Sequence, residues 1–308
     1  MTGKTDERAS DEKVVEIEME RLAHFKKATV MMNCTPKAAL VGMLSKHLVS
    51  VVDMCLSDRV YSKKQWAEQM MVCAARLTQR GHQISCMKDF MELYERTYSK
   101  ATVKKLENLP HPTIQKFGLI HVVVVGASRR FLAQITRHQN EVKYMSASLQ
   151  YSDYSGAGDF VIPYNLIETG QEKEYLNTCS EVMERYQNLI RSGIDNDSAG
   201  YSAPQGLRNI LLISATPYQW KHMIHQRVCR RNTEETRYVM LRIWEQLWEQ
   251  NTTFFSTCGP FCMTGRCQEG KLRCGKPILS TLTPGEIIRM DFPRLFFKEG
   301  DVNESTVN

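Results

Sequence analysis

The chain has 308 residues, 42% of them apolar and 24% charged, with a formal net charge of +6. No apolar run is long enough to span a membrane, the first residues lack the apolar core of a secretory signal, and no long basic block is present. A cytoplasmic protein with one large or two modest cores is expected, its mild positive charge suiting phosphorylated small molecules as well as polynucleotides. Ten cysteines without a secretory signal predict reduced thiols.

Residues 28–34 read as a strand ending at Thr35-Pro36. Leu40, Met43, Leu44, His47, Leu48, Val51 and Val52 recur at helical spacing and predict a helix. Further helices are expected over 64–80, with Trp66, Met70, Cys73, Ala74 and Leu77 inward, and over 85–98. The valine-rich run 118–126 predicts a strand covered on both faces or lying at an interface. Ser128 is a cap for a helix carrying Arg129, Arg130, Gln134, Arg137 and His138, in which Gln134, Arg137 and His138 share one face. A loop over 152–159 precedes a helix over 171–191 with Tyr175, Cys179, Val182, Tyr186 and Leu189 on one stripe. Residues 209–215 read as a buried strand, and Thr216-Pro217 as a helix start. Asn232 with Glu235 resembles a capping box opening a helix to about Glu249, with Thr236, Met240, Ile243, Trp244 and Leu247 inward. A short strand is expected within 279–297.

Several clusters carry possible chemistry. Arg137-His138-Gln139 suits a phosphate or a polar ring edge, because arginine offers a fork of donors; the alternative is a solvated helix face. Ser148-Leu-Gln150-Tyr151 offers hydroxyls and an amide, or is simply a polar turn. Arg227, Arg230 and Arg231 form either an anion site or surface ion pairs with Glu234 and Glu235. Cys258-x3-Cys262-x4-Cys267-x6-Cys274 is either a zinc loop or a set of reduced thiols; its spacing departs from paired C-x2-C, and no metal is assigned.

In order, these segments resemble the flavin-dependent thymidylate synthases. That family has a Ser-Arg pair, then Gln-x-x-Arg-His-Arg, then Ser-x-Arg-Tyr. This chain has Ser128-Arg129, Gln134-Ile-Thr-Arg137-His138-Gln139 and Ser148-Leu-Gln150-Tyr151. The family block Arg-Leu-Cys-x-Arg-Ala-Gln-Trp-Glu-Ile-Arg aligns without gaps on Arg227-Val-Cys-Arg-Arg231-Asn-Thr-Glu-Glu235-Thr-Arg237. Longer members continue with segments like Cys258-Gly-Pro-Phe-Cys262, Gly265-Arg-Cys267-Gln-Glu-Gly270 and Cys274-Gly275. The resemblance covers about residues 109–277. It implies an α+β fold with a central mixed or antiparallel sheet flanked by helices, a single catalytic domain over 14–293, and loose tails at 1–13 and 294–308.

The resemblance further implies reductive methylation of dUMP to dTMP, with bound FAD and with NADPH and methylenetetrahydrofolate as co-substrates. It implies a homotetramer with active sites where subunits meet, with no membrane and no nucleic acid as partner. By position, His111, Arg137, His138, Gln139 and His222 face FAD. Gln134, Ser148, Gln150, Tyr151, Arg227 and Arg231 face the nucleotide, with Arg227 and Ser148 nearest the chemistry.

The chain departs from the pattern at Gln139, Gln150 and Gly200, each in place of a family arginine, and at Asn232-Thr-Glu-Glu-Thr236. Arg129, Arg130, Arg208 and Arg230 are the candidates to compensate. Two further readings stand beside thymidylate synthesis: a flavin- and folate-dependent pyrimidine nucleotide hydroxymethylase or dCMP-modifying relative, and a nucleic-acid-binding protein with basic helices and a zinc loop.

Overall fold

The computed structural model describes residues 25–32, 34–35, 45–53, 66–80, 83, 92–93, 99–109, 112–117, 119–156, 159–250 and 252–295. The tail expected at 1–13, residues 296–308 of the tail expected at 294–308, most of the helix expected over 85–98, and His111 lie outside the described residues; Arg294 and Leu295 belong to a short 3-10 turn, Pro293–Leu295, with Leu295 buried.

The strands are β1 (Phe25–Met32), β2 (Cys34–Thr35), β3 (Ser45–Asp53), β4 (Ile120–Ser128), β5 (Val142–Ser146), β6 (Phe160–Val161) and β7 (Arg208–Ala215). The larger helices are α1 (Trp66–Arg80), α2 (Lys100–Glu107), α3 (Arg129–Ile135), α4 (Glu172–Arg191), α5 (Asn196–Gly200), α6 (Pro217–Arg227), α7 (Glu234–Gln250) and α8 (Pro284–Asp291). Five strands form one antiparallel sheet in the order β1-β3-β4-β7-β5, and β2 pairs with β6.

The sheet corrects the helix expected around 40–52. Residues 45–53 pair with both β1 and β4. Val49, Val51 and Val52 are β-branched and suit a strand, and pairing with two neighbouring strands overrode the helical spacing.

In β4 and β7 one face is buried and the other is not. Val122, Val124, Leu211 and Ile213 are buried, whereas Ile210 and Leu212 are 46% and 40% exposed. This corrects the fully buried strand expected at 209–215. The outer face remains apolar: Leu212 pairs with Val123 and with Met145, which is 72% exposed. Gly126, at φ +90°, sits where the β4–β7 register shifts between Val125 and Ala127, a bulge whose backbone favours glycine.

The inner face packs on α7. Tyr238, Val239, Met240, Leu241, Ile243, Trp244 and Leu247 are each at most 1% exposed, so α7 is buried nearly all round, beyond the single stripe expected. Trp220 and Trp244 donate their indole N–H groups to the carbonyls of Ile120 and Phe255 at 3.1 and 3.0 Å, satisfying two polar atoms inside the core. Smaller corrections follow from the same packing. In α1, Cys73 is buried with Met71, Val72 and Ala75, but Leu77 is 38% exposed. In α4, Leu176, Cys179, Met183 and Tyr186 form the buried stripe, with Leu189 outside it. The strand expected within 279–297 is replaced by α8, opened by a capping box between Thr283 and Glu286 with Pro284 in the first turn. Among the described residues, no helix is long and apolar enough to cross a membrane.

Candidate functional site

Ser128 begins the site. Its hydroxyl accepts from the Phe131 N–H at 3.1 Å and caps α3, as its sequence position predicted. Glu235, at the start of α7, accepts a hydrogen bond from the Ser128 backbone N–H at 2.7 Å and a second from the Ser128 hydroxyl. Burial pushes the Glu235 carboxyl up, and the Ser128 bonds oppose this. The capping box expected between Asn232 and Glu235 therefore does not form; Asn232 instead donates to the carbonyls of Gln226 and Cys229.

Helix α3 ends at Ile135, with Thr136 as its C-cap. Arg137 and His138 thus lie beyond the helix and do not share a helical face with Gln134, which is half-buried on α3. Leaving the helix turns His138 inward, to 7% exposure, while Arg137 and Gln139 stay exposed.

Helix α6 supplies the other half. Thr216 caps it and Pro217 occupies its first turn. Its last residue, Arg227, donates Nε–H to His138 Nε2 at 2.7 Å and Nη1–H to Asn232 Oδ1 at 3.3 Å. His222 meets His138 edge to face at 5.9 Å between ring centroids and accepts from Gln226 Nε2 at 3.1 Å. Burial, then the charges of Arg227 and His222, hold the His138 pKa down to about 4, so the ring is neutral near pH 7. Burial and the nearby Arg137 charge lower the Arg227 pKa, while Tyr144 opposes them.

Arg137 and Arg227 are therefore neighbouring cations. Among the described residues, neither makes an ion pair with a carboxylate. Two uncompensated guanidiniums beside a neutral imidazole suit an anionic ligand with acceptor groups. Tyr144 belongs to this cluster and was not singled out in the sequence: its hydroxyl donates to the Ile135 carbonyl at 2.8 Å. Its place in β5, directly after the Arg-His segment, was the available signal.

The structure brings Arg137, His138, His222 and Arg227 together. It does not bring Arg230 or Arg231 to them. Arg230 and Arg237 both pair with Asp291, Arg230 at 2.7 Å, and Arg231 is exposed. Glu234 accepts from the Asn165 N–H at 3.1 Å, so the expected surface pairing of these acids with the arginines is not formed. Ser148 is half-buried and accepts from the Gln150 N–H at 3.1 Å; Gln150 is exposed and Tyr151 is 82% exposed. Among the described residues, no hydrogen bond or ring contact joins Ser148, Gln150 or Tyr151 to the Arg227 cluster.

The cysteine set also changes. Cys258 is 2% exposed, whereas Cys229, Cys262, Cys267 and Cys274 line a cavity of about 280 Å³. Burial pushes the Cys229 thiol up. Among the described residues, no group of three or more His, Cys, Asp or Glu side chains is placed to hold a metal ion.

The sequence profile of the family described as thymidylate synthase complementing protein matches residues 59–251. The chain is similar to a flavin-dependent thymidylate synthase of Geobacter sulfurreducens, 23% identical over 211 residues that span 68% of this chain and 89% of that protein. A flavin-dependent thymidylate synthase of Thermococcus onnurineus is 25% identical over 174 residues, 53% of this chain and 69% of that protein. Among solved structures, the UMP/dUMP methylase PolB from Streptomyces cacaoi bound with 5-Br dUMP has a TM-score of 0.53 at 16% identity, covering 68% of this chain and 93% of that one. That likeness concerns the fold, which is α+β as the sequence implied.

Proposed function

The chain belongs to the thymidylate synthase complementing protein family, and from this premise we propose that it is a flavin-dependent thymidylate synthase converting dUMP to dTMP. Methylenetetrahydrofolate is the carbon donor and NADPH the reductant. The observation that carries the reading is the cluster of Arg137, His138, His222 and Arg227, placed where the sequence resemblance puts flavin and nucleotide contacts.

The residues present fit the flavin: Arg137 offers an uncompensated guanidinium for its phosphates, and His138 and His222 offer ring edges. FAD, when bound, supplies the hydride chemistry. Arg227 is the cation facing the uracil carbonyl, and its two bonds, to His138 and Asn232, fix its direction. A positioned cation stabilises charge developing on the ring. Neutral His138 serves as an acceptor that orients Arg227 without competing for its charge. Gln134, Ser148, Gln150 and Tyr151 hold the nucleotide; Gln139 completes the flavin contacts by hydrogen bonding. Arg231, exposed and lining the neighbouring cavity with Cys229, is the weaker candidate for a nucleotide contact.

The Ser148–Tyr151 loop of one chain meets the Arg227 cluster of another in a homotetramer. Two observations support this assembly. Among the described residues, no hydrogen bond or ring contact joins the loop to the cluster within the chain, and the outer sheet face carries the exposed apolar residues Met145, Ile210 and Leu212.

One specific observation favours a second reading. Gln139, Gln150 and Gly200 remove three charges from positions the resemblance assigns to flavin and nucleotide, so a modified base or product, such as a hydroxymethylated pyrimidine or a dCMP derivative, is the alternative. Family membership leaves the nucleic-acid-binding reading without support. The deciding experiment incubates purified protein with FAD, NADPH, methylenetetrahydrofolate and dUMP or dCMP, and weighs the nucleotide product. A methyl gain on dUMP supports thymidylate synthesis; a hydroxymethyl product, or reaction with dCMP alone, establishes the second reading.

A further inference from the structure

The proposed nucleotide site lacks guanidiniums at Gln150 and Gly200, and the question is what holds the substrate's phosphate. The answer below rests on the reading above, that the substrate is a nucleotide. Position 200 is tight for a side chain as the protein stands. A Cβ there would lie 3.0 Å from the Leu149 Cβ and 3.4 Å from its Cδ1. Leu149 therefore occupies the approach that a longer residue at 200 would need.

Beside the same loop lies a cavity of about 270 Å³. Ala147 and Tyr154, which bracket Ser148–Tyr151, line it together with Asp159, Arg208 and Asn209. Asn209 is 6% exposed. Its Oδ1 accepts from the Ile210 N–H at 2.8 Å, and this bond sets which end of the amide is which. Its Nδ2 is buried and, among the described residues, has no partner. The same holds for Nη1 of Arg129, the first residue of α3.

Arg208 lines the cavity with Tyr154, and Arg129 adjoins it through its backbone N–H, which donates at 3.1 Å to the carbonyl of Leu207, another lining residue. Burial pushes the Tyr154 pKa up, and the charges of Arg129 and Arg208 each oppose that shift. Asp159 is the carboxylate lining the cavity and pairs with Arg208 Nε at 3.0 Å; among the described residues, Arg129 makes no ion pair. Buried donors without acceptors are unfavourable unless a ligand or water satisfies them. The Arg208 guanidinium and the Asn209 amide N–H in the lining, with the buried Arg129 Nη1 of the adjoining α3 start, are a donor set for a tetrahedral oxyanion.

We propose that this cavity holds the phosphate monoester of the nucleotide, with Arg129, Arg208 and the Asn209 amide as donors in place of the arginines missing at 150 and 200. The phosphate thus lies beside the Ser148–Tyr151 loop on the β7 side, and Leu149 crowds the position that Gly200 vacated.

Calorimetric titration of the flavin-loaded protein with dUMP and with deoxyuridine tests this, using wild type, Arg129→Gln, Asn209→Leu and Arg208→Gln. Arg208 has a 48% exposed side chain, so its variant keeps the test alive if a buried substitution unfolds the chain. Wild type is expected to bind dUMP at least about tenfold more tightly than deoxyuridine, as charge-assisted bonds to phosphate require. Each folded variant should lose most of that ratio through weaker dUMP binding, with deoxyuridine affinity and flavin content unchanged. The proposal is overturned if the ratio survives in the variants, if wild type does not distinguish the two ligands, or if flavin content falls instead, which would give the cavity to the phosphates of FAD. Line broadening of inorganic phosphate by the same proteins decides the cavity separately. Phosphate binding lost in the variants of a protein that holds no flavin would uphold the cavity and sink the functional reading.

Discussion

Arg227 donates its Nε–H to Nε2 of His138 across 2.7 Å, joining the end of α6 to the loop after α3. The acceptor nitrogen must be unprotonated for this bond to exist. Burial and the two neighbouring groups Arg227 and His222 keep it so, holding the pKa down to about 4.

This makes stability depend on pH in a defined window. The folded pKa of His138 lies below its ordinary 6.5, so the unfolded chain takes up the proton first. The stability from neutral His138 is fully present above pH 6.5 and is lost as the pH falls toward 4, by on the order of 3 kcal/mol. Thermal unfolding of wild type should show a falling Tm across that range, and His138→Gln, which keeps an acceptor and cannot titrate, should show a shallower fall. Equal slopes would remove His138 from this role.

Arg227→Ala should abolish turnover, by about a hundredfold or more if it stabilises charge on the base, while flavin content stays at the wild-type level. Steady-state rates and the flavin absorbance of the purified variant check this. Normal turnover would sink the assigned role.

Gln139 is exposed and stands where the family pattern has arginine. Gln139→Arg should preserve or tighten FAD binding, because an added guanidinium beside Arg137 strengthens bonds to phosphate. Loss of flavin on equilibrium dialysis would mean that the pocket is built differently.

Ser128 serves two partners, the Phe131 N–H of α3 and the carboxylate of Glu235. Ser128→Ala removes a cap and strips a hydrogen bond from a buried acid, and should cost about 2–4 kcal/mol in urea unfolding. Ser128→Thr, which keeps the hydroxyl, should recover most of it. A loss below about 0.5 kcal/mol, the size of an ordinary surface substitution, would show that Glu235 finds other partners.

The contact between Leu149 and Gly200 predicts coupling. Gly200→Ala places a methyl group 3.0 Å from the Leu149 Cβ and should destabilise the chain by about 1–3 kcal/mol through overpacking. Combining it with Leu149→Ala should cost less than the sum of the two single changes. A strictly additive double-mutant cycle would show that the backbone relaxes instead.

Much of the local structure was legible in the chain. Ser128 and Thr216-Pro217 open α3 and α6 as capping chemistry predicts, and the valine run became β4. Thr283, Pro284 and Glu286 carry the same kind of start signal and open α8 where a strand was expected. The segment at 45–53 carries helical apolar spacing together with β-branched valines, and pairing with β1 and β4 made it a strand. The i, i+3, i+4 spacing of Gln134, Arg137 and His138 assumed a helix that stops at Ile135; that stop is what lets His138 turn inward.

The sequence by itself carried the ordered motifs whose resemblance implied the family, the α+β class and the candidate site residues, and its caps and strand propensities marked local elements because they depend on neighbours a few positions away. Only the tertiary structure decided which of those residues meet. His138 with Arg227, Glu235 with Ser128, Cys229 with the later cysteines, and Asn209 with the Ser148 loop are all remote in sequence. Their partnerships follow from how the sheet and α7 pack, and burial then sets the protonation that the chemistry uses.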